Sequence, residues 1–572
     1  MSDTSFSPGA RFKVGNDALY VQVLLLIAAI LAVYAGLVEH PFHAFDDPIY
    51  VTNVTYVRDG LTLEGMRWAF ESMDVANWHP LTWLSHMLDV ELYGLKPAGH
   101  YMTNLLLHSM GCLVLLRLLR LVFKNGWIAF LVAVLWAIHP ANVECVAWIA
   151  QRKTLLALIF IFGGLILYLR YRRDGSCWAY LLCVTAQILA AMCKPIAVLF
   201  PVALVLLDVL ELGDAPPSAQ STKAWLRDAF AAIRHIASAW RDKVPFILVA
   251  GYLSVVTFYA QDTVGATNRN HSLLWRIGNS LESIEAYTVK SFTMPETSAL
   301  YVIRPLDMAN VAIGAFLVAA MVVAIVWGLA RKRIVAFGLA WYLLLFLPTI
   351  GLVQVGSQRL ADRYLGFPLL GLLCVVVWAV ATVVERRRAG LIGFCVCLLW
   401  ACALGQQARA LTLEWSDALR LSMNAIRHGG PASSMLINAS VEQTKRHDWA
   451  TARKTLAPIM DEAKAIANLA VLDVLEKDYE AAIAKAGRLF TDKSTQLTAA
   501  YVAATAYAGL GKYEDAQRAY RGAIRFLPPD RSWMWNVEEM RTTLPQLLKA
   551  VEEKAKAQRE AELAKPAPPE KE

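Results

Sequence analysis

EHPFHAFDDPIYVTNVTYVRDGLTLEGMRWAFESMDVANWHPLTWLSHMLDVELYGLKPAGH, residues 39–100, decides how the chain is read. It is the most polar long stretch in the first half of an apolar chain, and it separates runs at about 18–38 and 101–122. Each run is near the ~20 residues that cross a bilayer core, so 39–100 reads as a loop between two membrane spans. Two adjacent carboxylates, Asp46 and Asp47, lie just past the expected end of the first span. Ionisable groups are costly at a membrane boundary, which makes both functional candidates.

Working outward, the 572 residues are 57% hydrophobic and 18% charged, with a mean hydropathy of +0.42. Charge is sparse up to about residue 410 and dense afterwards, the pattern of a polytopic membrane domain followed by a polar one. The formal charge of +8 does not require nucleic acid, because most early Lys and Arg cluster between apolar runs. The nine cysteines are scattered without a CxxC pair or Cys/His spacing, so neither a disulfide framework nor zinc is expected. Arg11 and Lys13 precede a first run too long for a typical signal-peptide core, which reads as a retained signal anchor.

About eleven spans are expected, near 18–38, 101–122, 127–144, 154–170, 177–193, 195–212, 244–261, 311–330, 334–353, 365–384 and 390–406. Lys194-Pro195 predicts a turn between the fifth and sixth. Five basic clusters then share one side: Arg117/Arg120/Lys124, Arg170/Arg172/Arg173, Lys223 to Lys243, Arg331/Lys332/Arg333 and Arg386/Arg387/Arg388. The positive-inside rule makes that side cytoplasmic, together with the N-terminus. The first loop, 139–153, the Lys194-Pro195 turn, 262–310, 355–368 and the C-terminal domain fall on the other side. Within the first loop, 61–73 and 80–94 have mixed faces and Trp residues, as interfacial helices do.

From about 411 the text becomes alanine-rich with helical period. Residues 498–530 fit a tetratricopeptide unit at Tyr507, Gly511, Tyr513, Ala516, Tyr520, Ala523 and Pro528. Asp448-Trp449 with Ala452, and Asp478-Tyr479 with Ala482, are earlier echoes, giving about three helix pairs. Such stacks offer a concave face to a partner. The expected organisation is a transmembrane domain over 1–410, a helical repeat domain over 411–550, and a charged disordered tail over 551–572.

The strings FDDPIY (45–50), GLTLEGMRWAF (60–70), NWHPLTWLSHMLDVELYGLKPAGHYMTNLLLH (77–108), AIHPANVECVAWIAQRK (137–153), CKP (193–195) and LVQVGSQRLADRYLGFPLLGL (352–372) carry a family likeness. The chain resembles bacterial relatives of the transmembrane and tetratricopeptide repeat-containing O-mannosyltransferases, among the GT-C glycosyltransferases. The resemblance implies an all-α polytopic GT-C fold. It also implies an enzyme that takes a sugar from a polyprenyl-phosphate carrier and meets a protein acceptor on the non-cytoplasmic face. For a bacterial chain that is the periplasmic face of the inner membrane. An acid of the first loop acts as base in such enzymes; Asp46 holds the place of the first acid, and Asp47 stands where some relatives have glutamate.

The chemistry needs a base for the acceptor hydroxyl, cations for the leaving phosphate, and a pocket that aligns the sugar. Asp46 and Asp47 are the catalytic candidates, against the alternative of an Asx-turn that only shapes the loop. Arg152, Lys153, Lys194, Arg359 and Arg363 are the candidate phosphate ligands, against snorkelling or interfacial anchoring. The spacing of Arg359 and Arg363 predicts one helical face, with Asp362 paired to a nearby Arg. His79, His100, His139, Glu144 and Tyr364 are expected around the sugar, although a lone histidine is more often structural. Trp78, Trp83 and Trp148 are expected in the aromatic belt, with sugar stacking as the alternative. No cofactor is expected. A divalent metal on Asp46, Asp47, His79 and Glu144 is disfavoured, because no DxD follows.

Two other functions fit parts of the text. A ligase moving a lipid-linked oligosaccharide would use 262–310 as its acceptor site. A scaffold would recruit partners through the repeats, but would not need acids and bases converging from several loops. A transporter would carry mid-span charges and inverted repeats, which the sequence lacks.

Overall fold

The computed structural model describes residues 16–43, 45–123, 125–211, 222–263, 271–294, 296–352, 358–386, 390–527 and 537–563. Arg11, Lys13, Lys124, Arg387, Arg388, Pro528, part of the 352–372 string and the end of the tail lie outside these residues, as do the side chains of Lys223 and Arg386. The protein is all-α and polytopic: among the described residues there is no β-strand, and one isolated antiparallel bridge joins Val302 to Gln358. The chain divides into two compact units. One holds residues up to His43, Tyr56–Asp417 and Arg427–Gly430; the other holds Ala44–Thr55, Ala418–Ile426 and the rest of the C-terminal part.

In the first unit, seven helices among the described residues are long and apolar enough to cross a membrane: Ala18–Glu39, Pro97–Val122, Ile149–Asp174, Arg241–Asp262, Met308–Arg331, Gly366–Glu385 and Ile392–Glu414. The other four expected spans are built differently. Gly126–Ala137 and Pro140–Ala147 form a pair bent by 54°. The bend has a local cause: Pro140 donates no backbone hydrogen bond and forces His139 into an extended conformation (ψ 135°). The 177–212 stretch breaks at Lys194, which is extended before Pro195, into Cys177–Ala191, a short turn and Phe200–Glu211. Arg333–Leu344 has 12 residues.

Aromatic side chains and glycines fill the core of this unit. Trp136 donates through Nε1 to the Gly366 carbonyl (2.6 Å) and meets Phe162 edge-on. Trp341 donates to the Phe367 carbonyl (2.9 Å). Gly338 and Gly371 bring their helices together so closely that a Cβ on either would sit 2.3 Å from the other's carbonyl oxygen, the small-residue contact by which apolar helices pack. Below this core is an ionic cluster. Arg172 pairs with Asp208 (3.2 Å) and Glu211 (2.9 Å), and Lys243 pairs with Asp208 (2.5 Å) and Asp242 (2.8 Å). Arg172 and Lys243 come from two separate loops that the charge pattern assigns to one side, and they meet.

The second unit contains three helix pairs: Ser433–Lys445 with Trp449–Leu456, Ala463–Leu475 with Tyr479–Leu489, and Gln496–Gly509 with Tyr513–Arg525. A long helix, Val537–Leu563, follows. The pairs repeat in detail. Each turn passes through a left-handed residue, His447 (φ 60°), Lys477 (φ 66°) or Gly511 (φ 71°), and the second helix then opens on an aromatic. Asp448 and Asp478 cap the first two such helices through their carboxylates. Fully buried Ala452, Ala482 and Ala516 occupy equivalent positions, so the helices of each pair approach closely. Gly509 makes a close contact between successive pairs: a Cβ there would lie 2.4 Å from the Tyr479 ring.

Candidate functional site

The acids of the first loop lie on a tight turn. The backbone carbonyl of Asp46 accepts from the amides of Ile49 (3.0 Å) and Tyr50 (3.1 Å), opening a one-turn helix, Pro48–Thr52. Pro48 suits the first position of that turn because its missing N–H has no partner to lose. Asp47 is fully buried and Asp46 partly so. Burial, and then the Asp46 carboxylate, push the Tyr50 hydroxyl well above its ordinary pKa. This turn groups with the second compact unit, and the remaining candidates belong to the first.

Arg152 lies at the start of its membrane helix with no exposed surface. Its guanidinium is taken up by the protein: Nη2 meets Asp89 Oδ2 (2.5 Å) and donates to the His100 carbonyl (2.9 Å), Nε donates to Asn104 Oδ1 (2.8 Å), and Nη1 donates to the Ser85 carbonyl (3.1 Å). Asp89 also accepts from the Thr103 hydroxyl (2.7 Å) and faces His100 Nδ1 (3.4 Å). The network joins the Pro80–Tyr93, Pro97–Val122 and Arg152–Asp174 helices. Arg152 is therefore a hub of this network, and the phosphate role expected for it has no free donor geometry to rest on. Asp89 was missed in the sequence. Its signal is visible there: it lies on the 82/83/86/89 face of a helix, and that face is buried.

A second network brings together candidates from three loops. Arg363 Nη1 and backbone N both meet the Glu144 carboxylate, the latter at 3.0 Å. The guanidinium lies over the rings of Trp148 (5.4 Å) and Tyr364 (5.0 Å), and Gln358 accepts from Nη2 (3.1 Å). Burial works against the Arg363 cation, but the Glu144 carboxylate holds its pKa above the ordinary value. Lys194 lies near the same residues and donates to Thr154 Oγ1 (2.6 Å) and Gln151 Oε1 (3.3 Å). Burial lowers its pKa to about 8, and Arg363 adds to that while Cys145 and Glu144 oppose it. The turn bearing Lys194 is fixed by the first-loop helix: Leu81 N donates to the Met192 carbonyl (3.1 Å) and Thr82 Oγ1 to that of Cys193 (3.0 Å).

Lys153 and the histidines lie close by. His79 and His86 are fully buried, and burial followed by neighbouring cations, Lys153 for His79 and Arg152 first for His86, keeps both neutral well below the ordinary imidazole range. His79 stacks on Trp83 (4.9 Å). His100 is bound to Asp89 and to the Gly94 carbonyl (3.1 Å). His139 accepts from Ala141 N (3.1 Å) and reaches the Ser291 carbonyl (3.3 Å). The Tyr364 hydroxyl accepts from Gln358 (2.7 Å).

Three local expectations are corrected. Arg359 and Arg363 do not share a helical face: Arg359 precedes a single short turn, Asp362–Tyr364, and pairs with Glu282 (2.9 Å). The buried Glu282 and Glu144 pull the two arginines to separate carboxylates. Asp362 pairs not with an arginine but with Lys290 (3.1 Å) and the Tyr301 hydroxyl (2.8 Å). Trp83 and Trp148 are not in an interfacial belt: both are buried, Trp83 against Trp68 and His79 of the first loop and Trp148 stacking on Trp415 (5.7 Å). Among the described residues, no three His, Cys, Asp or Glu side chains are grouped to hold a metal ion.

No family model matches the chain. Its curated relatives are named protein O-mannosyl-transferases, which bears out the resemblance read from the sequence. TMTC1 of Mus musculus is 33% identical over 185 residues, 30% of this chain and 19% of that protein. F38B6.6 of Caenorhabditis elegans is 29% identical over 197 residues, 32% of this chain and 28% of that protein. TMTC3 of Homo sapiens is 29% identical over 121 residues, 21% of this chain and 13% of that protein. The matched segment thus spans less than a third of each of these proteins.

Proposed function

We propose that this relative of the protein O-mannosyl-transferases is a membrane glycosyltransferase. It moves a sugar from a polyprenyl-phosphate carrier to a hydroxyl of a protein acceptor on the extracytoplasmic, in a bacterium periplasmic, face. A first-loop carboxylate, Asp46 or Asp47, takes the proton of the acceptor hydroxyl as that oxygen bonds to the anomeric carbon. The carbon–oxygen bond to phosphate breaks, and its electron pair leaves with the phosphate. Arg363, Lys194 and Lys153 stabilise the charge that develops there. Arg359 takes no part in this step, and Arg152 supports it by holding the start of its helix. The tetratricopeptide-like helix pairs hold the acceptor protein.

The observation that carries the reading is the Arg363–Glu144 ion pair with the Lys194 ammonium near enough to feel both charges, brought from three loops in the membrane unit. Neighbouring buried cations are costly unless negative charge compensates them, and among the described residues Glu144 is paired with Arg363 alone while Lys194 rests on the neutral Gln151 and Thr154. A phosphate arriving beside Lys194 restores balance and holds the ammonium charged. The names of the relatives support the reaction class.

The test replaces Asp46 and Asp47 singly with Asn and measures the intact mass of envelope proteins. Loss of a hexose-sized increment in either variant, with normal expression, is expected. Full product in both variants removes the base assignment and returns the chain to the scaffold reading.

A further inference from the structure

A cavity of about 350 Å³ lies apart from the Glu144–Arg363 pair, within the same compact unit. One wall is the Leu273–Lys290 helix, with Glu285, Ala286 and Val289; the others are the extended segment at Tyr301 and Val302, the residues at Arg359 and Leu360, and the backbone at Gly429 and Gly430. Two of these walls are main chain already paired in sheet fashion: Val302 N donates to the Gly429 carbonyl (2.9 Å), and Arg359 N donates to the Tyr301 carbonyl (2.9 Å).

Arg359 and Glu285, on facing parts of the cavity lining, hold unused hydrogen-bonding capacity of opposite kinds. The Arg359 side chain is 9% exposed and meets Glu282 through Nη1. Among the described residues nothing else takes up the rest of its five N–H donors. Glu285 faces the same space and has no hydrogen bond or ion pair among the described residues. Its carboxyl is raised by burial and by Glu282, and Arg359 opposes the rise. A donor and an acceptor in one cleft, beside the small apolar surfaces of Ala286, Val289 and Leu360, match a peptide group, whose C=O and N–H need one of each.

A sugar fits less well. Carbohydrate rings stack on open aromatic faces. Among the described lining residues the one Tyr, Phe or Trp is Tyr301, whose face is covered by the Lys290 ammonium (5.0 Å) and whose hydroxyl is bound to Asp362 (2.8 Å). A free phosphate fits less well again: the lining cations already meet carboxylates, Lys290 that of Asp362 (3.1 Å) and Arg304 and Arg359 that of Glu282 (2.9 Å each), and Glu285 and Glu296 add negative charge.

We propose that this cavity binds an extended segment of the acceptor polypeptide, with Arg359 on a peptide carbonyl and Glu285 on a peptide N–H. The inference rests on the protein-acceptor reading above and gives it a place. The short loop from Gln358 to Tyr364 carries Arg359 at one end and Arg363 at the other, so peptide binding and phosphate binding share one rigid piece of chain. Tyr287 fixes that loop through both backbone groups of one residue: its hydroxyl donates to the Ala361 carbonyl (3.1 Å) and accepts from Ala361 N (3.1 Å).

The test is fluorescence anisotropy on the full chain in detergent, with an end-blocked octapeptide of alternating threonine and alanine carrying fluorescein. Saturable binding is expected. Val289→Trp, which fills the cavity from its half-exposed rim, and Glu285→Gln should each weaken it about tenfold. Both variants should melt close to the parent. An excess of methyl α-mannoside should not compete. Absence of binding, binding unchanged in both variants, or displacement by the glycoside overturns the proposal; the last assigns the cavity to saccharide. The readout needs no turnover, so a failure of the base assignment at Asp46 or Asp47 leaves it interpretable.

Discussion

Asp89 and Arg152, 63 residues apart in sequence, meet at 2.5 Å with almost no exposed surface on either side chain. The pair joins a first-loop helix to the start of a membrane span. The same guanidinium reaches two backbone carbonyls and Asn104, so the contact sets an angle as well as a distance.

Asp89→Asn should therefore destabilise the protein by about 3–5 kcal/mol, the cost of leaving a buried charge without its partner. Arg152→Lys should not rescue, since an ammonium cannot replace a fork that spans four acceptors. Thermal unfolding in detergent checks both; an unchanged midpoint in either variant refutes the hub.

Arg363→Lys keeps the charge and the backbone bond to Glu144 but loses the guanidinium's contacts to Glu144 and Gln358 and its stacking on Trp148 and Tyr364. Transfer should fall about 10²- to 10³-fold if Arg363 stabilises the leaving phosphate. Transfer from labelled donor to the peptide measures this, and activity at the parent level contradicts the assignment.

Lys194 sets a pH limb. With its pKa lowered to about 8, the ammonium is lost as pH rises through that value, and transfer should fall with it. Lys194→Arg should move the limb upward by more than one unit. Stability runs the opposite way: between pH 8 and about 10.4 the unfolded chain holds a proton that the folded chain lacks, so stability rises with pH. Lys194→Met should abolish that rise. A limb that stays in place in the arginine variant refutes the role.

In the C-terminal unit, Asp473 is buried between Arg453 (2.6 Å) and Lys485 (2.6 Å), which come from the second helices of successive pairs. Asp473→Asn should cost about 1.5–3 kcal/mol and open this region. Limited proteolysis of the full chain should then cut sooner between 446 and 495; a parental cleavage pattern argues against the clasp.

The legible parts of this protein are those written in local pattern. Apolar runs of span length, Pro140 and Pro195 as breaks, and the recurring aspartate-aromatic-alanine spacing of the C-terminal pairs all follow from backbone geometry and periodic burial. Hydropathy reads the short helices at 126–137, 177–191, 200–211 and 333–344 as full spans because it sums over a window and does not register a bend or a break. The i,i+4 spacing of Arg359 and Arg363 suggests one helical face by default, whereas Glu282 and Glu144 pair with them separately.

Residue order alone determined that this chain is helical, polytopic, and carries its ionisable candidates in loops between apolar runs. Only the folded arrangement decided what each of those candidates meets: Arg152 meets Asp89, Arg363 meets Glu144, and Lys194 meets Gln151 and Thr154. The reason is physical. Hydrophobic periodicity reports how each helix faces its surroundings, but a buried charge selects its partner by distance in three dimensions, between residues far apart along the chain.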